Sequence, residues 1–258
     1  MKASFDSAAA TYDQSFTQTA IGKLQREAVY NILSQHLVNA KTIFEINCGT
    51  GEDALWLASQ NFEVLATDIS EKMIGIGKAK NHHQNLTFST LDITHLSSFQ
   101  KEEKYDLLFS NFGGLNCLSP EELSLFFKTV PHFLKEKGKM VLVLMPKNTI
   151  WEQFYFLTKG KWNKAFRRKK KLVLANVDGE KVPTYYYNPK EIVHLTEETL
   201  ECMEYHPIGF FIPPSYLEPF FNNKKGSFKL LQKLELRIRN FSFLSKYADH
   251  YAIILQKK

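Results

Sequence analysis

Short apolar runs alternate with amphipathic stretches from about residue 15 to residue 145 of the chain. The apolar runs are short and end in polar or glycine-containing turns, a pattern typical of buried strands. The stretches between them repeat apolar residues every three to four positions, which predicts helices. Strands that alternate with helices predict a parallel sheet covered by helices. We expect strands near 42–46, 63–67, 86–90, 106–110 and 140–144, late strands near 204–210 and 251–255, and helices near 15–37, 52–60, 71–81 and 120–135.

A glycine turn joins the first predicted strand to the helix after it. The strand ends at Ile46, and Gly49 and Gly51 precede the helix. Glycine reaches left-handed backbone conformations and lets a ligand lie against the main chain. The second strand ends in Asp68, a carboxylate placed to accept hydrogen bonds from two ribose hydroxyls. This order of strand, glycine turn, helix, strand and acid predicts a nucleoside-binding Rossmann-like unit.

The charges around this turn discriminate between nucleoside ligands. Its glycine spacing also fits dinucleotide-binding proteins, but a pyrophosphate binds best at a helix N-terminus without acids. Here Glu52 and Asp53 occupy the first helical turn, and Glu45 lies in the strand before it. S-adenosylmethionine (SAM) carries a sulfonium and an ammonium group and no phosphate. The acids therefore favour SAM over NAD, although Glu52 and Asp53 by themselves would also complement the helix dipole.

Five segments, in the expected order, resemble the motifs of class I SAM-dependent methyltransferases. Residues 43–51, Ile-Phe-Glu-Ile-Asn-Cys-Gly-Thr-Gly, resemble the first motif, with Asn47 in place of its first glycine. Asn tolerates left-handed backbone better than other non-glycine residues, so we expect the turn to form. The other segments are 66–74, 91–93, 105–113 and 137–144. The resemblance extends over about residues 5–146 and includes the last strand near 251–255.

The resemblance implies a Rossmann-like α/β fold with a seven-stranded, mostly parallel sheet, an antiparallel last strand and helices on both faces. It implies SAM as cofactor and S-adenosylhomocysteine as product. Tyr12, in Ala-Ala-Thr-Tyr-Asp, resembles the N-terminal Tyr-Asp of many small-molecule methyltransferases, whose first segment folds over the cofactor; a core aromatic at a helix end is the alternative. The cofactor-binding candidates are Tyr12, Glu45, Asn47, Gly49, Gly51, Asp68, Ile69, Met73, Asp92, Ile93 and Asn111.

About fifty residues separate the fifth strand from the next predicted sheet strand. A structureless loop of that length is uncommon in a compact domain, and the segment contains an aromatic helical pattern and two strand patterns around Asp178-Gly179. We predict a SAM-binding core over 1–146, an inserted α+β substrate cap over 147–199 and elements that complete the core over 200–258. A surface decoration is the alternative to a cap. The substrate-binding candidates are Arg26, Phe112, Asn116, Trp151, Tyr155 and Tyr186.

Composition and charge bound the remaining function classes. The chain has 258 residues, 44% of them hydrophobic, and a net charge of +6. Its three scattered cysteines indicate neither a disulfide framework nor a zinc site, and it has no apolar run long enough to span a membrane, so we predict a cytoplasmic protein. The basic run Arg167–Lys171 is either a solvated face or a contact for an anionic partner. Nucleic acid is disfavoured, because residues 110–113 lack the proline typical of enzymes that methylate base amino groups.

Methyl transfer is an in-line displacement that needs alignment, exclusion of water and, for many nucleophiles, removal of a proton. No histidine pair has a metal-binding spacing with an acid, so we expect no metal; the candidate catalytic residues are Tyr12, His206 and His250. The sequence thus predicts a SAM-dependent methyltransferase that acts on a small or medium, apolar or aromatic acceptor. The alternatives are a non-catalytic SAM-binding regulatory or scaffold protein and an NAD-dependent oxidoreductase.

Overall fold

A computed structural model describes residues 5–99, 103–177, 179–218 and 225–258. Its strands, in chain order, are β1 Thr42–Ile46, β2 Glu63–Asp68, β3 Leu86–Thr90, β4 Tyr105–Ser110, β5 Leu134–Leu144, β6 Val173–Val177, β7 Glu180–Thr184, β8 Leu200–Ile208 and β9 His250–Lys257. Seven of them form one sheet in the order β3-β2-β1-β4-β5-β9-β8, and β6 and β7 form a separate hairpin. Strands β1 to β5 are parallel to their neighbours, whereas β9 is antiparallel to both β5 and β8. The predicted fold class is confirmed.

The helices lie between these strands and before the first of them. They are α1 Ala9–Tyr12, α2 Ala20–His36, α3 Glu52–Ser59, α4 Glu71–Lys80, α5 Pro120–Thr129, α6 Ile150–Thr158, α7 Trp162–Ala165, α8 Pro189–Thr196 and α9 Lys225–Ile238. None of the helices in the described ranges is long and apolar enough to cross a membrane.

Two helices are shorter than the sequence pattern predicted, and both differences have a local cause. The helix expected from about residue 15 begins at Ala20, because residues 13–17 form a separate π-helical turn and Thr19 caps α2 by accepting a hydrogen bond from the amide of Gly22. The helix expected to reach residue 135 ends at Thr129, because Pro131 has no N–H to continue it. The strand after it therefore begins earlier than predicted, at residue 134.

The two faces of the sheet are both buried, which explains the nearly continuous apolar runs of the parallel strands. In β1, Phe44 and Ile46 pack into one apolar cluster with α5 residues, while Ile43 packs into the opposite cluster with α2 and α3 residues. The chain reverses direction across the sheet after β3, because β4 returns to the other side of β1. In open α/β sheets, ligands bind in the crevice at the carboxyl ends of the strands at such a reversal.

Residues 145–199, between β5 and β8, form the inserted segment and contain α6, α7, the β6–β7 hairpin and α8. The predicted two strands are present, although Asp178 of the predicted turn lies outside the described residues. Asn116 attaches the segment to the sheet: its Nδ2 donates to the carbonyl of Tyr185 at 2.6 Å, and its Oδ1 accepts from the amide of Met145 at 2.8 Å. Arg168 makes a second attachment, described below with the basic run.

Candidate functional site

A cavity of about 910 Å³, partly open to solvent, lies at the carboxyl ends of β1, β2, β3 and β4. Its lining residues come from the N-terminal segment, the loops after these four strands and the β6–β7 hairpin. They are Phe5, Tyr12, Asn47, Gly49, Asp68, Ile69, Met73, Asp92, Ile93, Asn111, Phe112, Gly113, Gly114, Cys117, Leu118, Val182 and Pro183.

The glycine loop after β1 has the predicted left-handed backbone. Asn47, Gly49 and Gly51 have φ angles of 55°, 54° and 79°. The tolerance of Asn47 for this conformation is therefore confirmed, and its Nδ2 also donates to Ser110 Oγ at 3.2 Å. Gly51 has a second role away from the cavity, since a Cβ there would lie 2.5 Å from the ring of Phe88. Both loop glycines are required, one by the cavity and one by the packing of α3 on β3.

Asp68 lies at the end of β2, on the far side of the cavity from β4. Its two carboxylate oxygens accept the backbone N–H groups of Gly49 and Ser70, each at 2.9 Å. Each oxygen keeps the capacity to accept a further bond from a ligand hydroxyl. Burial raises the pKa of Asp68, partly offset by these backbone hydrogen bonds. The carboxylate is thus both a ligand-facing acceptor and a brace for the glycine loop.

Residues 5–17 lie against the glycine loop and the start of α4. Thr50 Oγ1 donates to Asp13 Oδ1 at 2.6 Å, and Ser70 Oγ donates to the carboxylate of Asp6. These two bonds tie the N-terminal segment to Thr50 of the glycine loop and to Ser70 at the start of α4. The segment thus packs on the glycine loop, and its folding over a bound cofactor stays a prediction.

Tyr12 is the titratable group of the N-terminal segment that faces the cavity. The pKa of Tyr12 is raised to about 12, mainly by burial. The charge of Arg26 acts against this rise, and the charges of Asp53, Asp68 and Asp13 add to it. The phenol therefore stays protonated at neutral pH. Tyr12 can donate a hydrogen bond to a ligand, but it is a poor general base in this state.

A buried ion pair lies behind the glycine loop. Arg26 on α2 contacts Asp53 on α3, and Asp53 also accepts from Tyr30 Oη at 2.7 Å and from Asn111 Nδ2 at 3.0 Å. Next to this pair, Glu45 is almost completely buried and its Oε2 has no hydrogen-bond partner. Burial, together with the charge of Asp53, raises the pKa of Glu45 well above its ordinary value.

Phe112, the second residue of the loop after β4, has a φ angle of 45°. An aromatic residue in left-handed backbone carries strain of about 1–3 kcal/mol and is found mainly at functional sites. Its ring is held by Phe16 at 4.9 Å and His250 at 5.6 Å, both edge-on, and by the guanidinium of Arg26 at 5.1 Å. These contacts fix the ring as one wall of the cavity.

The structure brings most of the predicted cofactor residues to the cavity wall. Two of the eleven do not line it: Glu45 lies behind the glycine loop, and Gly51 belongs to the loop but packs against Phe88. The residues that do are Tyr12, Asn47, Gly49, Asp68, Ile69, Met73, Asp92, Ile93 and Asn111.

The predicted substrate residues are dispersed. Phe112 lines the cavity, whereas Arg26 is engaged by Asp53 and Asn116 braces the inserted segment. Trp151 and Tyr155 lie on α6 and do not line the cavity. Tyr186 is buried, with the guanidinium of Arg168 5.2 Å from its ring centre.

The two candidate histidines do not line the cavity either. His250 packs behind Phe112, with its Nδ1 3.3 Å from Asp249 Oδ2. His206 lies on β8, an edge strand, where its Nδ1 is 2.9 Å from the carbonyl oxygen of Arg239 and its Nε2 is 3.1 Å from Glu204 Oε2. Both imidazoles are therefore engaged outside the cavity.

Sequence reasoning missed several wall residues. Gly113 and Gly114 carried a readable signal, because two adjacent glycines after a strand suggest a close backbone approach. A Cβ on Gly114 would lie 2.5 Å from the Cβ of Asn47 in the first loop. The others carried no local signal, since they reach the site only through tertiary packing: Phe5, Cys117, Leu118, Val182 and Pro183.

The charged side chains among the described residues of the cavity wall are all acidic. Among the wall residues that the structure describes, Asp68 and Asp92 are the ionisable acids, and none is a lysine, arginine or histidine. The remaining side chains are aliphatic, aromatic or amide groups, a thiol and the phenol of Tyr12. Such a wall suits a cationic or neutral ligand and disfavours phosphate.

The basic run 167–171 contains two kinds of residue. Arg168 is buried, donating from Nε to Glu152 at 2.8 Å and from Nη2 to Asp249 at 2.7 Å, and Arg167 also contacts Glu152. Lys169, Lys170 and Lys171 are exposed. The arginines thus attach α6 and the following turn to the core, and only the lysines face solvent.

Comparison with known proteins finds that this chain is similar to methyltransferases. Residues 43–138 match the model of a family described as a methyltransferase domain. A malonyl-[acyl-carrier protein] O-methyltransferase of Bacillus anthracis is 26% identical over 203 residues, covering 75% of this chain and 66% of that protein. The chain spans about half to two thirds of the length of the first curated relatives it matches.

Solved structures agree with the fold. The SAH complex of DhpI superposes with a TM-score of 0.61 at 14% identity, covering 99% of this chain and 95% of that one. The structure of a SAM-dependent methyltransferase from Methanosarcina mazei gives a TM-score of 0.58 at 20% identity, covering 88% of this chain and 97% of that one. The predicted resemblance to class I SAM-dependent methyltransferases is confirmed, and the predicted cofactor agrees with the cofactor or product that these structures are named for.

Proposed function

We propose that this chain is a SAM-dependent methyltransferase that acts on a small or medium apolar acceptor without a carboxylate or phosphate group. The observation that carries the proposal is the position of Asp68 between the amides of Gly49 and Ser70, at the edge of a cavity without cationic side chains. A carboxylate held in this way accepts the two ribose hydroxyls of SAM. Since the described wall residues include no lysine, arginine or histidine, we expect the wall to disfavour the phosphates of NAD.

The opposite end of the cavity supports the acceptor class. Its wall there consists of Phe112, Cys117, Leu118, Val182 and Pro183. Burial raises the pKa of the Cys117 thiol to about 11, so it stays neutral and packs as an apolar group. An apolar wall excludes water from the sulfonium and from the attacking atom, and it stabilises an apolar acceptor by the hydrophobic effect.

The mechanism that these residues support is alignment rather than strong base catalysis. Tyr12 is protonated at neutral pH, and no histidine is among the described wall residues. The nucleophile would therefore attack as an amine, thiolate or acidic carbon or hydroxyl that needs little help with its proton. Asp68 and the glycine loop would fix the adenosyl end, and Phe112 would orient the acceptor against the methyl group.

The acceptor of the Bacillus anthracis relative provides a contrast. Its name specifies a malonyl thioester, which carries a free carboxylate. Here Arg26 is engaged by Asp53 and lies behind Phe112, and no arginine is among the described residues of the cavity wall. We therefore propose a different acceptor for this chain.

Calorimetric titration tests the cofactor, with S-adenosylhomocysteine, SAM and NAD titrated separately. We expect binding of the first two and none of NAD; tight NAD binding without SAM binding would overturn the proposal. A metabolite extract incubated with methyl-labelled SAM then tests catalysis. A chain that binds SAM but labels no extract compound would instead support the alternative of a non-catalytic SAM-binding protein.

A further inference from the structure

One part of the inserted segment accounts for the net positive charge of the protein. Residues 150–174, here named the basic-aromatic segment, contain eight lysines and arginines and a single acid, a net charge of +7. The whole chain has a net charge of +6, so the rest of it is close to neutral at −1. The segment is therefore a local positive patch on a nearly neutral protein.

The exposed cations of this segment are lysines. Arg168 is buried and Arg167 is half-buried, and both contact Glu152, the only acid of the segment. The ion pairs thus leave the lysine charges uncompensated within the segment. The exposed lysines are Lys159, Lys161, Lys164, Lys169, Lys170 and Lys171.

Large apolar side chains project between these lysines. Phe154 and Trp162 are 64% and 66% exposed, values that are unusual for aromatic residues of a folded domain. Ile150, Phe166, Leu172 and Leu174 are also exposed. The ammonium group of Lys169 lies 5.0 Å from the ring centre of Phe166, so the charge sits beside the ring rather than away from it.

A second exposed aromatic stretch adjoins the start of α6. The amide of Ile150 donates to the carbonyl of Tyr247 at 3.0 Å, which places the end of the 241–247 stretch beside the segment. Phe241 and Phe243, in that stretch, are both exposed and stack with ring centres 6.1 Å apart. Contiguous exposed apolar surface of this kind marks an interaction site.

We propose that the basic-aromatic segment docks the protein on an anionic lipid surface. Amphipathic surfaces rich in lysine, tryptophan and phenylalanine insert their rings at the boundary between headgroups and acyl chains, while the lysines meet anionic headgroups. An acidic protein partner fits less well, because protein interfaces favour arginine over lysine and both arginines here are used internally.

Co-sedimentation with vesicles tests this docking. The full chain is mixed with vesicles of phosphatidylcholine alone and with vesicles in which about a third of the lipid is phosphatidylglycerol. We expect binding to the second and little to the first, falling as salt is added. The variant K169E/K170E/K171E should bind these vesicles with at least about a hundredfold lower affinity, because each lysine near the surface contributes about fivefold to the binding constant.

A matched control reverses three exposed lysines elsewhere on the chain, Lys72, Lys190 and Lys233. The variant K72E/K190E/K233E has the same net charge as the first variant and should keep most of the binding. Equal losses in the two variants, or no binding of the unmodified chain to anionic vesicles, would overturn the proposal. Co-elution with an acidic carrier protein in the absence of vesicle binding would assign the surface to a protein partner and overturn it as well.

Tryptophan fluorescence gives a second, independent readout of insertion. Trp162 should leave water when the segment docks, so its emission should shift to shorter wavelength on addition of anionic vesicles. The variant Trp162→Ser should lose most of this shift while unfolding at the same temperature as the unmodified chain. A shift that persists in that variant would contradict insertion of this part of the surface.

Discussion

Replacing Asp68 tests the cofactor site and the glycine loop at the same time. Its carboxylate braces the loop through Gly49 and Ser70, and we propose that it also binds the ribose. A hydrogen bond to a charged acceptor contributes about 1.5–3 kcal/mol, but the freed amides can partly rehydrate in the empty cavity. We therefore expect Asp68→Ala to lower the free energy of unfolding by about 2–4 kcal/mol.

The same substitution should weaken S-adenosylhomocysteine binding beyond its effect on stability. Two hydroxyl bonds to the carboxylate, discounted for the water that replaces them, amount to about 3 kcal/mol, or about a hundredfold in Kd. Calorimetry at a temperature where the variant remains folded measures this loss. Unchanged affinity in a folded Asp68→Ala variant would remove this residue from the site.

Asp106 provides a matched control at the opposite end of the sheet. Its Oδ2 accepts the backbone N–H groups of Lys41 and Thr42, each at 2.9 Å, so it has a similar bracing role but does not line the cavity that contains Asp68. Asp106→Ala should therefore lower stability by a similar amount and leave Kd unchanged. If both variants lost affinity equally, the effect of Asp68 would be structural and the reasoning above would be refuted.

The two acids should also differ in pH dependence. Burial raises the pKa of Asp68, and ribose binding favours its ionised form, so ligand affinity should fall as the pH decreases through that raised value. For Asp106, burial is outweighed by the hydrogen bonds from Lys135, Thr42 and Lys41, which lower its pKa to about 2. Its contribution to stability is present above its unfolded value and is lost as the pH falls toward 2.

Three further substitutions separate the remaining roles. Burial raises the pKa of Glu45 well above its ordinary value, so the native state binds this proton more tightly than the unfolded chain, and stability falls as the pH rises from the ordinary value toward the raised one. Glu45→Gln should flatten this fall in urea denaturation followed across that range, and an unchanged slope would contradict it. Arg26→Met leaves Asp53 buried without its cation and should cost about 3–5 kcal/mol of stability; a loss below 1 kcal/mol would mean that the pair is solvated. Val182→Ala should raise the acceptor KM without changing the Kd of S-adenosylhomocysteine. Leu174→Ala, on the paired strand, should change neither constant. Equal effects of the two substitutions would mean that Val182 does not contact the acceptor.

The sequence by itself was sufficient for the parallel sheet, the glycine loop and the acid at the end of β2. These features depend on local signals: apolar periodicity, two glycines with positive φ and a carboxylate at a strand end. Because parallel strands place their carboxyl ends at one edge, local signals on separate strands also predict one shared site. Nine of the eleven residues that the sequence suggested for the cofactor therefore lie on the cavity wall, and their contact with the cofactor stays a prediction.

The part of the cavity wall where we propose that the acceptor binds was decided by the tertiary structure. The aromatic pattern of α6 suggested Trp151 and Tyr155 as wall residues, yet the inserted segment presents Val182 and Pro183 of β7 instead. An aromatic pattern reports that side chains are apolar, but not which side of a segment faces the core. That choice depends on attachments such as Arg168, whose partners in sequence are far apart.

The buried charges show the same difference between what the sequence predicts and what the tertiary structure decides. The sequence shows Glu45, Asp53 and Asp68 near one loop and so predicts a ligand without phosphate, and it suggested Arg26 as a substrate-binding residue. The fold pairs Arg26 with Asp53 and leaves Glu45 without a hydrogen-bond partner at one oxygen. Periodicity and spacing determine backbone path and burial, since these depend on neighbours along the chain. Which buried charges find partners depends on residues that meet only after the sheet and its helices have packed, and this is why only the tertiary structure decided it.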